Sequence, residues 1–145
     1  MNYLIDGSNL LGTAGENREG EDVKRELLRS VSTFVRRTAS KATLYFDGPS
    51  PPSFATSLGA VTVVFSGQKQ ADDLIVARIR NGDSRPWTVV TSDLGLKGRV
   101  AGRRVAVVDC TDFRRTLLSS EPPTGHGGDE DWAVYFSDEK NRNVL

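Results

Sequence analysis

Residues 4–12 read LIDGSNLLG, and residues 89–93 read VVTSD. In the first stretch the apolar run Tyr3 to Ile5 is too short for a helix and is cut off by Asp6 and Gly7; in the second, the run from Trp87 to Thr91 stops at Ser92 and Asp93. A short apolar run bounded by turn-forming residues predicts a buried strand. Both strands therefore end on a carboxylate, and the fold decides whether the two meet.

The neighbouring segments repeat the pattern. Ala42 to Phe46 predicts a second strand, ended by Asp47 and broken by Gly48, Pro49, Pro51 and Pro52. Val61 to Phe65 predicts a third, ending at Ser66 and Gly67, and Val105 to Val108 a fifth, ending at Asp109. Between the strands the period changes. The Gly-, Asn- and Glu-rich stretch after Asp6 reads as a loop, after which Val23, Leu27, Val31 and Phe34 or Val35 recur at helical spacing. Ala71, Leu74, Ile75 and Ile79 mark a second helix with Asp72 and Asp73 in its first turn. Shorter helices are predicted over 94–101 and near 112–118.

Strands alternating with helices predict an α/β domain with a mostly parallel, five-stranded sheet. In such a sheet the strand C-termini share one edge, where ligands bind. Asp6, Asp47, Asp93 and Asp109 all fall at that edge, and Asp72 and Asp73 open the helix after the third strand. The domain is expected to span residues 1–118. From Ser119 a Pro- and Gly-rich linker, EPPTGHGGDED, leads to Trp132, Tyr135 and Phe136, so 119–145 is expected to be a linker and an aromatic, acidic C-terminal segment. That segment reads either as a cover for an apolar patch or as a docking motif for a protein partner.

At 145 residues the chain suits one domain with a real core. The formal net charge is zero, which removes a global basic field as an argument for nucleic acid and leaves only local patches. The single cysteine, Cys110, allows no internal disulfide and no paired-cysteine zinc site, and no apolar stretch is long enough for a membrane span. A cytoplasmic protein without membrane contact is the expectation.

Like charges gathered at one sheet edge repel, and a cation must offset them. Hard oxygen donors without histidine or cysteine suit Mg²⁺ or Mn²⁺ rather than zinc, and Mg²⁺ held by one or two carboxylates keeps open positions for a phosphate. The expected metal set is Asp6, Asp72, Asp73 and Asp93. Asn9 and Ser92 join the candidate catalytic group, since an amide or hydroxyl can hold a metal-bound water or a phosphate oxygen. Each acid also has a structural explanation: first-turn acids complement the helix dipole, Asp93 can cap a helix, and Asp47 can make a turn. Whether Asp47 and Asp109 belong to the site stays open.

Four motifs in this order, LIDGSNLLG, YFDGP, QKQADDLIVARI and VVTSDLGLKGRV, resemble the NYN branch of the PIN-like nuclease superfamily, and within it the bacterial YacP-like group of RNA endonucleases. The resemblance covers residues 2–118. It implies a three-layer α/β/α sandwich and a metal-dependent ribonuclease acting on single-stranded RNA, in which Asp6, Asn9, Asp72, Asp73 and Asp93 match the family's acidic and amide positions. It further implies the ribosome as a partner that presents the RNA. Two positions depart from the pattern: Ser8 stands where an aromatic is common, and Gln68 or Gln70 where an acid precedes the pair.

Lys69, Lys97, Arg99, Arg103 and Arg104 are the candidate RNA-binding cations, with solvated surface charge as the competing reading. His126 is the only histidine, so a two-histidine acid and base mechanism is excluded. A haloacid dehalogenase-type phosphatase needs an aspartate two residues after its nucleophile, and position 8 is Ser8. The competing function is a catalytically silent PIN-like module that binds RNA or protein.

Overall fold

The computed structural model describes residues 1–13, 20–81 and 86–120. His126 and the aromatic residues Trp132, Tyr135 and Phe136 lie outside the described residues.

The chain opens with strand β1 (Asn2–Asp6), which runs straight into helix α1 (Gly7–Thr13). Helix α2 (Glu21–Arg37) leads to β2 (Lys41–Phe46), β3 (Ser57–Leu58) and β4 (Val61–Phe65). Then follow α3 (Ala71–Asn81), β5 (Trp87–Val90), α4 (Leu94–Val100), β6 (Val105–Val108) and α5 (Cys110–Ser120). The sheet order is β3-β4-β2-β1-β5-β6. All five strands expected from the sequence are present and run parallel to one another. The two-residue β3 adds a sixth, antiparallel to β4.

Alternation along the strands divides the core between two faces. Tyr3 and Ile5 of β1, with Leu44 and Phe46 of β2, pack with Leu10 and Leu11 of α1, Leu27 to Val35 of α2, and Phe113 of α5. Leu4 and Tyr45 point the other way, into a second cluster with Ile75, Val76 and Ile79 of α3 and Leu96 and Val100 of α4. Helices thus cover both faces, a three-layer α/β/α sandwich. Burying a side chain such as Phe46, Leu44 or Ile75 contributes about 1.5–3 kcal/mol each.

Helix α2 shows why its residues form a helix. Leu27, Leu28, Val31, Phe34 and Val35 are buried along one stripe, while Glu21 and Asp22 in the first turn and Arg36 and Arg37 in the last complement the dipole. Phe34 meets Tyr3 edge-on at 5.4 Å and Phe113 at 5.3 Å, which ties α2, β1 and α5 together.

The main departure from the sequence reading lies just after β1, where α1 stands in place of the expected loop. Gly7, Ser8 and Asn9 are poor helix formers. Burial of Leu10 and Leu11, which are 0% and 2% exposed, overrides that preference. Gly7 is required by close approach: a Cβ there would stand 2.7 Å from both Phe46 Cε1 and the Tyr45 carbonyl oxygen.

Candidate functional site

Strand β1 has β2 on one side and β5 on the other, so the chain order reverses at β1. Outside the carboxyl ends of these strands is where an open α/β sheet forms its crevice. Asp6 closes β1 there and shares the side of Leu4, facing α3 and α4. It is only 6% exposed.

Burial pushes the Asp6 carboxyl up to about 6; the hydrogen bond from the Asn9 N–H opposes this, and the negative charges of Asp47 and Asp72 add to it. The N–H of Asn9 donates to Asp6 Oδ1 at 3.3 Å, and the Thr91 hydroxyl stands 3.4 Å from Oδ2. Asp47 and Asp72 thus both place negative charge against Asp6.

Asp47 belongs at this edge by construction. Its N–H donates to Ser8 Oγ at 2.9 Å, and its Oδ1 accepts from the Ala71 N–H at 2.8 Å, capping α3. The residue that makes the turn after β2 thus also places a carboxylate whose charge acts on Asp6. Ser8, in the position where an aromatic is common, serves as the strut that fixes it.

Asp72 and Asp73 occupy the first turn of α3. Arg99 of α4 reaches both, at 3.6 Å from Asp72 Oδ2 and 2.9 Å from Asp73 Oδ1. Asp72 Oδ1 is buried and has no hydrogen-bond partner among the described residues. Gln68 and Gln70 are exposed, and the Gln70 carbonyl accepts the Asp73 N–H at 3.1 Å.

Asp93 has one oxygen in a helix cap. It is exposed, and as the N-cap of α4 its Oδ1 accepts from the Gly95 N–H at 2.8 Å. Its own N–H donates to Thr91 Oγ1 at 3.1 Å, so Thr91 links the Asp93 turn to Asp6. Ser92 and Asn9 brace the same corner. Asn9 Oδ1 accepts from the Ser92 N–H at 2.7 Å and from Cys110 Sγ at 3.2 Å, and Ser92 Oγ accepts from the Cys110 N–H at 3.0 Å. The Asn9 carbonyl therefore points into the protein, where it holds β1, β5 and α5 in register. Burial pushes the Cys110 thiol up to about 11, which leaves it a neutral core group.

Asp109 faces a different set of groups. Hydrogen bonds from the Ser92 hydroxyl, the Thr111 N–H and Lys97 hold its carboxyl below the usual range. Lys97 Nζ is 3.3 Å from its Oδ1, and the Thr111 N–H donates to Oδ2 at 3.2 Å.

The cations divide by position. Lys69 is exposed in the turn before α3, beside the acids. Lys97 and Arg99 are committed to Asp109 and to Asp72 with Asp73. Arg103 and Arg104 lie elsewhere: both precede β6, and the Arg104 carbonyl accepts the N–H of Trp87 at the start of β5. They stand at the opposite edge of the sheet, because α4 carries the chain back across before they are reached.

Among the described residues no three His, Cys, Asp or Glu side chains form a ready-made ligand set. The donors nonetheless fit a hard divalent cation of the hydrated kind, which takes one or two carboxylates and keeps its other positions for water or phosphate. The buried, unpartnered Oδ1 of Asp72 and the buried carboxylate of Asp6 are the groups that could hold such an ion.

Residues 3–126 match the family model of the YacP-like NYN domain. The chain belongs to the YacP-like NYN family. Membership supports a nuclease-type, RNA-related function. No curated protein matches this chain. Among solved structures, Rae1 (YacP) from Bacillus subtilis is similar at 18% identity with a TM-score of 0.69, covering 83% of this chain and 75% of that one. Its tryptophan-to-leucine mutant gives 19% identity and a TM-score of 0.68, with 82% and 76% covered. At that identity the likeness shows the fold, a PIN-like α/β/α sandwich. Among the described residues no helix is long and apolar enough to cross a membrane.

Proposed function

We propose that this YacP-like NYN protein is a metal-dependent endoribonuclease that hydrolyses phosphodiester bonds of single-stranded RNA. The observation that carries the reading is the concentration of negative charge at Asp6. A carboxylate 6% exposed, with the charges of Asp47 and Asp72 acting on it, calls for a cation at neutral pH. Asp6 and Asp72 would hold Mg²⁺ or Mn²⁺. When bound, such an ion lowers the pKa of a water and offsets charge on the transferring phosphate.

The protein's own groups set the frame for this chemistry. Thr91 and the Asn9 N–H orient Asp6 through its two oxygens. Asn9 and Ser92 keep the β5 end against α1, so the separation between Asp6 and the α4 cap is fixed. Asp73 and Asp93, more exposed, border the site from α3 and from the start of α4 and can take hydrogen bonds from waters on the substrate side. Lys69 supplies a phosphate contact on the α3 side. Hydrolysis by this route leaves a 5′-phosphate and a 3′-hydroxyl.

A neutral chain has little long-range pull on a polyanion, so unaided RNA affinity is modest and presentation by a larger assembly, the ribosome, completes the substrate. A buried thiol without a disulfide partner suits the reducing cytosol where that assembly works.

The competing reading is a silent module that only binds RNA or protein. The pairing of Arg99 with Asp72 and Asp73 favours it, because the acids are then already neutralised in part. Cleavage of end-labelled single-stranded RNA in Mn²⁺, Mg²⁺ or EDTA, with Asp6→Asn and Asp93→Asn beside wild type, separates the two. Metal-dependent cutting lost in Asp6→Asn is expected. Binding of RNA without cutting in either metal, on naked RNA and on translating ribosomes alike, would assign the silent module.

A further inference from the structure

We infer that Arg99 is a resident counter-ion of Asp72 and Asp73 which a divalent cation must displace as it loads, so that this arginine sets the metal affinity of the site. The inference rests on the metal reading above. Its basis is the unequal use of the two Asp72 oxygens: Oδ2 faces the Arg99 guanidinium at 3.6 Å, while Oδ1 is buried and unpartnered among the described residues.

A cation attracted to Oδ1 meets the guanidinium on the same carboxylate, and two positive charges at that range repel. The arginine is also held by Asp73 Oδ1 at 2.9 Å, so it is anchored across the first turn of α3 rather than resting on one acid. It comes from another element. Leu96 and Val100 of α4 pack in one cluster with Ile75, Val76 and Ile79 of α3, which places Arg99 within reach of both acids. Its side chain is 40% exposed, leaving a path for the guanidinium to turn out into water. Loading is then the exchange of one cation for another.

Lys97 provides the internal comparison. It sits on the same helix with the same charge, but its ammonium is paired with Asp109 and not with Asp72 or Asp73.

The test is calorimetric titration of the full-length protein with Mn²⁺ at about 0.15 M salt, where charges beyond a Debye length of roughly 8 Å are screened. Thermal melts verify that each variant is folded. Arg99→Ala is expected to bind Mn²⁺ about 2- to 5-fold more tightly than wild type, the scale of one partly exposed ion pair. Arg99→Lys should fall between them, and Lys97→Ala should match wild type. Unchanged or weaker binding in Arg99→Ala overturns the inference and leaves Arg99 as a support for Asp72. The metal reading is judged separately through Asp6→Asn. Wild-type binding that needs Asp6 but ignores Arg99 defeats this inference alone, whereas no binding that depends on Asp6 defeats both.

Discussion

The side-chain carbonyl of Asn9 accepts the N–H of Ser92 at 2.7 Å, joining residues that are 83 positions apart in the chain. The same oxygen receives Cys110 Sγ at 3.2 Å and faces the Thr91 hydroxyl at 3.4 Å. Asn9→Ala leaves these donors without their acceptor, which costs about 1–3 kcal/mol when such groups are buried. Urea denaturation should show that loss with an unchanged m-value. Asn9→Asp, which retains an acceptor but adds a negative charge beside Asp6, should raise the Asp6 pKa further; the NMR titration of the Asp6 carboxyl is the readout.

Asp6 makes stability depend on pH in the direction opposite to that of a salt-bridged acid. Its folded pKa, about 6, exceeds the ordinary aspartate value of 3.8, so the folded state binds the proton more tightly. The resulting stabilisation is present below the unfolded pKa and is lost as pH rises through the folded one. Above that window the ionised carboxylate costs about 2–3 kcal/mol. Asp6→Asn should therefore melt higher than wild type at pH 7.5 in EDTA, and the gap should close by pH 4. Saturating Mn²⁺ should narrow it at pH 7.5, since bound metal stabilises wild type alone.

The sequence made the strands and the acidic edge legible because both are local signals: an apolar run of three to five residues that stops at an acid or a turn former needs no tertiary information. What escaped was set by contacts between distant segments. Helix α1 was hidden by the weak helix preference of Gly7, Ser8 and Asn9, and it exists because Leu10 and Leu11 are buried and Asn9 is bonded to the β5 corner. The sequence left Asp47 between a turn and a site residue; the Ala71 N–H placed on its Oδ1 gives it a structural role, and that bond joins segments 24 positions apart. Asp93 carried the expected cap signal, and in the structure its carboxylate is used for that cap.

Two glycines offer a paired test of close approach against helix propensity. Gly7→Ala would place a methyl 2.7 Å from a backbone oxygen that has nowhere to move, so a loss of about 1–3 kcal/mol is expected, as for an overpacked core. Gly98 lies inside α4, and a Cβ added there would meet nothing within 4 Å. Gly98→Ala should stabilise by up to about 1 kcal/mol through helix propensity alone. Equilibrium denaturation of both variants checks the opposite signs.

The basic residues separate by sheet edge, and kinetics should follow that division. Lys69 stands in the turn leading into α3, on the acidic side, whereas Arg103 and Arg104 precede β6 on the far side. A phosphate contact near the scissile bond is lost as substrate binding, so Lys69→Ala should raise KM for a short single-stranded RNA by about 2- to 5-fold, the scale of one exposed charge contact. The double substitution Arg103→Ala with Arg104→Ala removes more charge in total but none of it from that edge. On the short RNA it should leave KM unchanged. A larger effect from the arginine pair than from Lys69 would mean that the substrate crosses the sheet to the opposite edge, and the site would have to be redrawn around a longer RNA path.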